Sequence, residues 1–125
     1  MAEPYSAEHW GKAPAIYDEH TLKIDGRDVM EDWERGYMKR LAAIATQNGG
    51  AILELGYGMG ISASEVQSHD ITSHTIIECH PDVITKCVSD NRSAFETGRM
   101  SIYSGFWQNV TPVLASETFD GILFD

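Results

Sequence analysis

The chain has 125 residues and a mass of 13.9 kDa, with 42% hydrophobic, 10% aromatic and 22% charged residues, the composition of one globular domain or part of one. Nineteen acidic against nine basic residues give a net charge of −10 and a pI near 4.7, which argues against phosphate-backbone binding and suits a cationic substrate better. No apolar stretch approaches the ~20 residues of a membrane span, and Met1 to Trp10 lacks the basic start and apolar run of a secretory signal, so a cytoplasmic protein without membrane or nucleic-acid partners is expected.

Residues 1–20 carry no clear period, and Pro4, Gly11 and Pro14 interrupt any helix. An arm with one short helical turn near Ala13 to Glu19 is expected. Leu22, Ile24 and Val29 then alternate around Asp25-Gly26, a hairpin signal. Met30, Trp33, Tyr37, Met38, Leu41, Ile44 and Ala45 recur at helical spacing, and Asn48-Gly49-Gly50 supplies a stop. The spacing predicts a helix from about 30 to 47.

After that helix the period changes. Ala51 to Leu55 is a short apolar run before a glycine cluster, read as a strand. Ser62 to His69 reads as a helix and Thr75 to Cys79 as a second strand. Pro81 suits a first helical turn, and Val83, Ile84, Cys87 and Val88 carry the stripe to about Ser93. Met100 to Tyr103 is a third strand, Val110 to Ala115 a short helix, and Phe119 to Phe124 a fourth strand. Alternating strands and helices predict right-handed βαβ units and a parallel sheet. The fold class is therefore α/β and Rossmann-like. Residues 1–48 form an arm, hairpin and helix, and residues 49–125 form part of the sheet domain. Four strands would leave an apolar edge uncovered, so the chain is expected to be the N-terminal part of a larger domain.

Glu54-Leu55-Gly56-Tyr57-Gly58-Met59-Gly60 lies where a strand turns into a helix. Glycines there permit a tight bend and close approach to a ligand. The dinucleotide fingerprint G-x-G-x-x-G would need its third glycine where Ile61 stands. The G-x-G-x-G form, with an acid two residues before it, instead resembles motif I of class I S-adenosylmethionine-dependent methyltransferases. Glu78 ends the second predicted strand 22 positions after Gly56, where nucleoside-binding α/β folds place the acid that holds ribose hydroxyls.

Two further carboxylates stand out. On a wheel at ~100° per residue, Glu34 falls about 40° from Met30, inside the apolar arc. A carboxylate there needs a cation or strong donors, and a cationic ligand would serve. Asp125 ends the fourth strand, which in a sheet ordered 3-2-1-4 lies beside the first, with its carboxyl end near the glycine loop. Asp120 falls at the opposite end and reads as a turn residue. Cys79 and Cys87 read as reduced packing residues, the five histidines lack ligand spacing, so no metal is expected, and Ser62 and Ser64 read as a helix start.

Taken together these segments resemble guanidinoacetate N-methyltransferase. His9 to Asp18 is similar to that family's W-G-x-A-P-A-x-Y-D, Val29 to Met38 to V-M-E-x-W-E-x-x-Y-M, Leu53 to Met59 to L-E-V-G-F-G-M, Ile76 to Cys79 to I-I-E-C, and Phe119 to Asp125 to F-D-G-I-L-Y-D. The resemblance implies S-adenosylmethionine-dependent N-methylation of guanidinoacetate, giving creatine and S-adenosylhomocysteine, by a monomer or homodimer. It implies that Trp10, Met30 and Met38 close over the cofactor. Tyr57, Gly58, Met59, Gly60, Ile61 and Ser62 would meet the cofactor's amino-acid part, and Glu78 its ribose. Trp107 would pack near the adenine, with His80 and Gln108 bearing on the adenine contacts, and Cys79 would also touch the cofactor. Asp125 would be the catalytic base and reach the cofactor as well, and Glu34 would orient the guanidino group with it. Gly60 stands where vertebrate relatives carry Ala, which predicts a looser loop; His80 replaces an Asn and Gln108 a Glu. A protein or small-molecule arginine N-methyltransferase, or a truncated non-catalytic member of the family, are the competing readings.

Overall fold

The computed structural model describes residues 12–18, 20–24, 27–31, 34–114 and 119–124. The arm folds as an antiparallel sheet of β1 (Ala15–Tyr17), β2 (Thr21–Ile24) and β3 (Arg27–Glu31). The expected hairpin joins β2 to β3, with Leu22 opposite Met30 and Ile24 opposite Arg27. The expected helical turn near Ala13 to Glu19 is corrected: Ala15 to Tyr17 is extended and paired with β2. Local sequence could not show this, because β1 gains its backbone bonds from a strand beyond a turn. That turn is built by Asp18, whose carboxylate accepts from the His20 and Thr21 amides at 2.8 and 2.7 Å and from Thr21 Oγ1 at 2.6 Å. These bonds hold the Asp18 carboxyl below its ordinary range, with the Thr21 hydroxyl as the largest cause.

The first long helix, α1, runs Arg35–Ala45, not from residue 30. Pairing of β3 with β2 keeps the chain extended through Glu31, so Met30 lies on a strand and the wheel drawn from it does not apply. Met38, Ala42 and Ala45 form the buried stripe of α1, whereas Tyr37 and Ile44 are exposed.

β4 (Ala51–Leu55), α2 (Ile61–Gln67), β5 (Ser73–Glu78), α3 (Pro81–Asp90), α4 (Arg92–Glu96), β6 (Met100–Ser104), α5 (Trp107–Val110) and β7 (Gly121–Phe124) follow. The four strands are parallel in the order β6-β5-β4-β7. This is the 3-2-1-4 order, in which the fourth parallel strand lies beside the first. The helix expected to reach Ser93 breaks at Asn91, whose Nδ2 bonds the Cys87 carbonyl at 2.8 Å. The helix expected over 110–115 starts earlier, at Trp107, and continues as a 3-10 turn over Thr111–Leu114.

Alternation along the strands sends side chains to two faces. Leu53, Leu55 and Ile77 pack with Val110 and Leu114 on one face. On the other, Ile52 packs with Ala42, Ala45, Val66 and Leu123. Ile76, Val83, Cys87 and Met100 pack there too, against Leu22 and Ile24 of the arm. Burial pushes the Cys87 thiol up to about 12, with Glu54, Asp90 and Glu78 adding to it, so this cysteine is an inert packing group. Among the described residues no helix is long and apolar enough to cross a membrane.

β7 meets α1 at Gly121, where a Cβ would run into the Ala45 carbonyl oxygen. Asp120, just before it, donates its amide to the Ala51 carbonyl and accepts from the Ala51 amide through Oδ2, both at 2.8 Å. The substitution Gly121→Ala is expected to lower the unfolding free energy by about 1–3 kcal/mol. Urea denaturation checks it, and a wild-type midpoint in that variant would refute the close approach.

Candidate functional site

β4 and β5 end side by side, with Leu55 opposite Ile77. The Gly56 amide donates to the Ile77 carbonyl at 2.8 Å. The chain then turns through Gly56, Gly58 and Gly60, whose φ values are 95°, 58° and 82°, a region that side-chain-bearing residues rarely enter. Glu78 fixes the start of this loop. Its Oε1 accepts from the Tyr57 amide at 2.9 Å, and its Oε2 from the Cys79 and His80 amides at 2.9 and 3.0 Å. Three donors on one buried carboxylate make strong charge-assisted bonds.

Tyr57 turns its ring away from the mouth of the sheet. Its hydroxyl donates to Asp90 Oδ2 at 2.9 Å and accepts from Asn91 Nδ2 at 3.1 Å. Burial, and then Asp90, push its pKa well above the ordinary tyrosine value. From the arm, the Tyr17 hydroxyl donates to the Gly58 carbonyl at 2.7 Å, with Lys86 Nζ 5.0 Å from the centre of the Tyr17 ring.

A cleft of about 220 Å³ opens at the carboxyl ends of these strands, lined by Gly56, Glu78, Cys79, Phe106, Trp107 and Phe124 among others. Open α/β sheets place their ligands at this end. Trp107 and Phe124 meet edge to face at 5.7 Å. Flat aromatic walls with one acid and an approachable glycine backbone fit a nucleoside: a base against the rings and hydroxyls toward the acid.

The sequence-selected residues divide as follows. Gly56, Glu78, Cys79 and Trp107 come together at this cleft. Gln108 is exposed on α5. His80 is buried and used otherwise: Nε2 lies 2.5 Å from the Ala13 carbonyl, and Nδ1 accepts from the Asp82 amide at 3.1 Å, capping α3. Met38 is buried in the core, as is Ile61; Ser62 is also buried. Met59, Gly60 and Ile61 border a second, polar cavity of about 280 Å³ shared with Arg35, Asp90 and Asn91. Glu34 occupies the cap position of α1, directly before Arg35, rather than a mid-helix face. Its half-buried side chain therefore belongs to the end of α1 that approaches the glycine loop. Phe124 pairs with Leu55, immediately before Gly56. Asp125 and Trp10 lie outside the described residues, as does the Met30 side chain.

Sequence reasoning missed a fully buried polar cluster. Glu54 Oε1 is 2.8 Å from His74 Nε2, and Glu54 Oε2 accepts from Ser62 Oγ at 2.5 Å. Glu54, the acid two residues before the first glycine, was the one member the motif singled out, with no sign of its buried partners.

The fold and cleft define a class I methyltransferase architecture. Residues 3–125 match the family model described as Guanidinoacetate N-methyltransferase, and the chain belongs to that family. It is 32% identical over 111 residues to "Protein arginine N-methyltransferase 2" of Aspergillus fumigatus, covering 86% of this chain and 26% of that protein. The protein of the same name from Saccharomyces cerevisiae is 32% identical over 117 residues, covering 86% and 28%. The chain thus spans less than a third of the length of these curated relatives. Among solved structures, a spermidine synthase in complex with the transition-state analogue AdoDATO superposes with a TM-score of 0.64 at 22% identity, covering 84% of this chain and 39% of that one. An O-methyltransferase from Bacillus cereus in complex with SAH gives 0.61 at 20% identity, covering 72% and 44%. These two likenesses show the fold.

The loop is not looser for having Gly60. A Cβ there would lie 2.5 Å from the Tyr57 hydroxyl oxygen and 2.7 Å from ring carbon Cζ, so the end of the Tyr57 side chain fills the space an alanine would use. Gly60→Ala alone is expected to cost about 1–3 kcal/mol, and Tyr57→Phe in the same chain to recover part of it. A double-mutant cycle by thermal melting checks this, and additive effects would refute the coupling.

Proposed function

We propose that the protein methylates a guanidino nitrogen, using S-adenosylmethionine, and that its substrate is guanidinoacetate, converted to creatine with release of S-adenosylhomocysteine. The observation that carries this reading is the cleft at the end of β4 and β5, where Glu78 binds the loop amides and faces a space walled by Phe106, Trp107 and Phe124. The family match over residues 3–125 supports the substrate. When bound, S-adenosylmethionine supplies an electrophilic methyl group on a sulfonium sulfur. Glu78 would hold the ribose hydroxyls, Trp107 and Cys79 would flank the adenine, and the Gly56 to Gly60 backbone would lie along the amino-acid end. Trp10, Met30 and Met38 are proposed to close this end of the sheet.

A guanidinium is a poor nucleophile while protonated, with a pKa of roughly 13. Two carboxylates can grip its fork of donors. Glu34, at the start of α1, would orient the group, and Asp125, which follows β7 in sequence, would accept the proton that the guanidino nitrogen gives up on methylation. Holding the nitrogen in line with the methyl group carries much of the barrier reduction.

A second reading has a specific observation behind it: curated relatives at 31–34% identity carry the name protein arginine N-methyltransferase 2. The nucleophile is the same group, presented on a peptide. Methyl-transfer assays on the full-length protein, with guanidinoacetate and an arginine peptide in competition, separate the two. Guanidinoacetate is expected to be methylated preferentially; preference for the peptide would replace the first reading by the second.

Asp125→Asn is expected to abolish turnover nearly completely while leaving S-adenosylmethionine affinity within about threefold, because the carboxylate proposed to accept the proton is gone and Glu34 is proposed only to orient the group. Near-normal turnover would refute the base assignment. Glu78→Gln replaces an acceptor by a group that presents N–H to other N–H donors. Calorimetry is expected to show an affinity loss of about 10–100-fold, the size of a lost charged bond; an unchanged affinity would remove Glu78 from the site.

A further inference from the structure

Behind the glycine loop a line of hydrogen bonds crosses the protein interior. Glu54, Ser62 and His74 are each 0% exposed. Its direction follows from what each group can donate. Arg99 only donates, and its Nε bonds Gln67 Oε1 at 3.0 Å. The Gln67 amide nitrogen therefore faces His74 Nδ1, at 2.8 Å, and donates to it. Nδ1 is then an acceptor, and the imidazole proton sits on Nε2, which donates to Glu54 Oε1 at 2.8 Å. Glu54 Oε2 accepts from Ser62 Oγ at 2.5 Å. Arg99 also donates from Nη2 to the carbonyls of Gln67 and His69, at 3.2 and 3.0 Å.

The line starts at the last turn of α2, crosses β5 and β4, and returns to Ser62 in the first turn of α2. It thereby fixes the exit of the glycine loop, as Glu78 fixes the entry through the Tyr57 amide. A buried carboxylate facing a neutral imidazole depends on every donor it has.

We propose that His74 is a positioning residue for the glycine loop, acting through Glu54 and Ser62, and that its neutral Nε2–H form is set by Gln67 and Arg99. Its consequence for the cofactor rests on the methyltransferase reading above. The loop geometry itself does not.

The test uses the full-length protein with His74→Phe, which keeps a ring but loses the donor, His74→Gln, which can donate to Glu54 and accept from Gln67, and Ser62→Ala. The first readout is amide hydrogen exchange at 57–62, which needs no ligand. His74→Phe and Ser62→Ala are expected to speed exchange there about tenfold or more, the effect of losing one buried charged bond, while Ile102 and Tyr103 on β6 exchange as in the wild type. His74→Gln is expected to return the loop to within about threefold. If His74→Phe does not fold, Ser62→Ala and His74→Gln carry the test. The second readout is methyl transfer: the KM for S-adenosylmethionine rises by a similar factor in the variants with accelerated exchange, with kcat kept at saturation. Loop exchange unchanged in Ser62→Ala, a uniform acceleration that includes β6, or no recovery with His74→Gln would overturn the proposal. Accelerated loop exchange with unchanged KM would overturn its consequence for the cofactor. Wild-type protein that binds no S-adenosylmethionine would defeat the methyltransferase reading, while the exchange data still decide the role of His74.

Discussion

One carboxylate holds the site together. Glu78 sits at the end of β5 and accepts three backbone amides, two from the residues that follow it and one from Tyr57 across the sheet. Those amides stand at strand ends, where the ladder no longer supplies partners. By meeting them, Glu78 joins the ends of two neighbouring strands and sets where the glycine loop departs. The cleft is the space this junction leaves between the loop, the end of β5 and the aromatic residues that follow β6. Its acid, apolar walls and exposed backbone therefore share one structural origin.

The loop is also held from behind and from above. Glu54, His74 and Ser62 fix it from the sheet interior. The arm lies across it through Tyr17 to Gly58, while the Ala15 amide donates to Asp82 Oδ2 and His80 reaches the Ala13 carbonyl. A loop of positive-φ glycines has little conformational preference of its own. These contacts from three sides give it one shape, and the closeness of Tyr57 Oη to Gly60 shows how little room remains.

Much of this was legible in the sequence. The apolar run Ala51 to Leu55, the glycine cluster and the later strands have distinct periods, and these pointed to the parallel sheet; its strand order came from the structure. Glu78 was legible because a lone acid ends an apolar run at a set distance from the glycines. The start of α1 was not, since Met30 fits a helical wheel that strand pairing then overrides. β1 was hidden because its bonding partner lies across a turn. His80 has the sequence neighbourhood of a cofactor contact but spends both ring nitrogens on the arm and on α3. Glu54 was legible as the acid before the glycines, but its pairing with His74, which stands just before the second expected strand, was not, and only their adjacency gives the pair meaning. The acidic side chains proposed to grip the substrate come from the start of α1 and the residue after β7, which lie far apart in the sequence.

The central claim is that the Glu78 junction forms the floor of a nucleoside-binding cleft. Backbone-amide NMR of the full-length protein on addition of S-adenosylhomocysteine tests it most directly. The account predicts saturable shifts centred on Gly56, Tyr57, Cys79 and Trp107, with α4 unchanged. Saturable shifts elsewhere that leave those four amides in place, or no shifts at all, would contradict it.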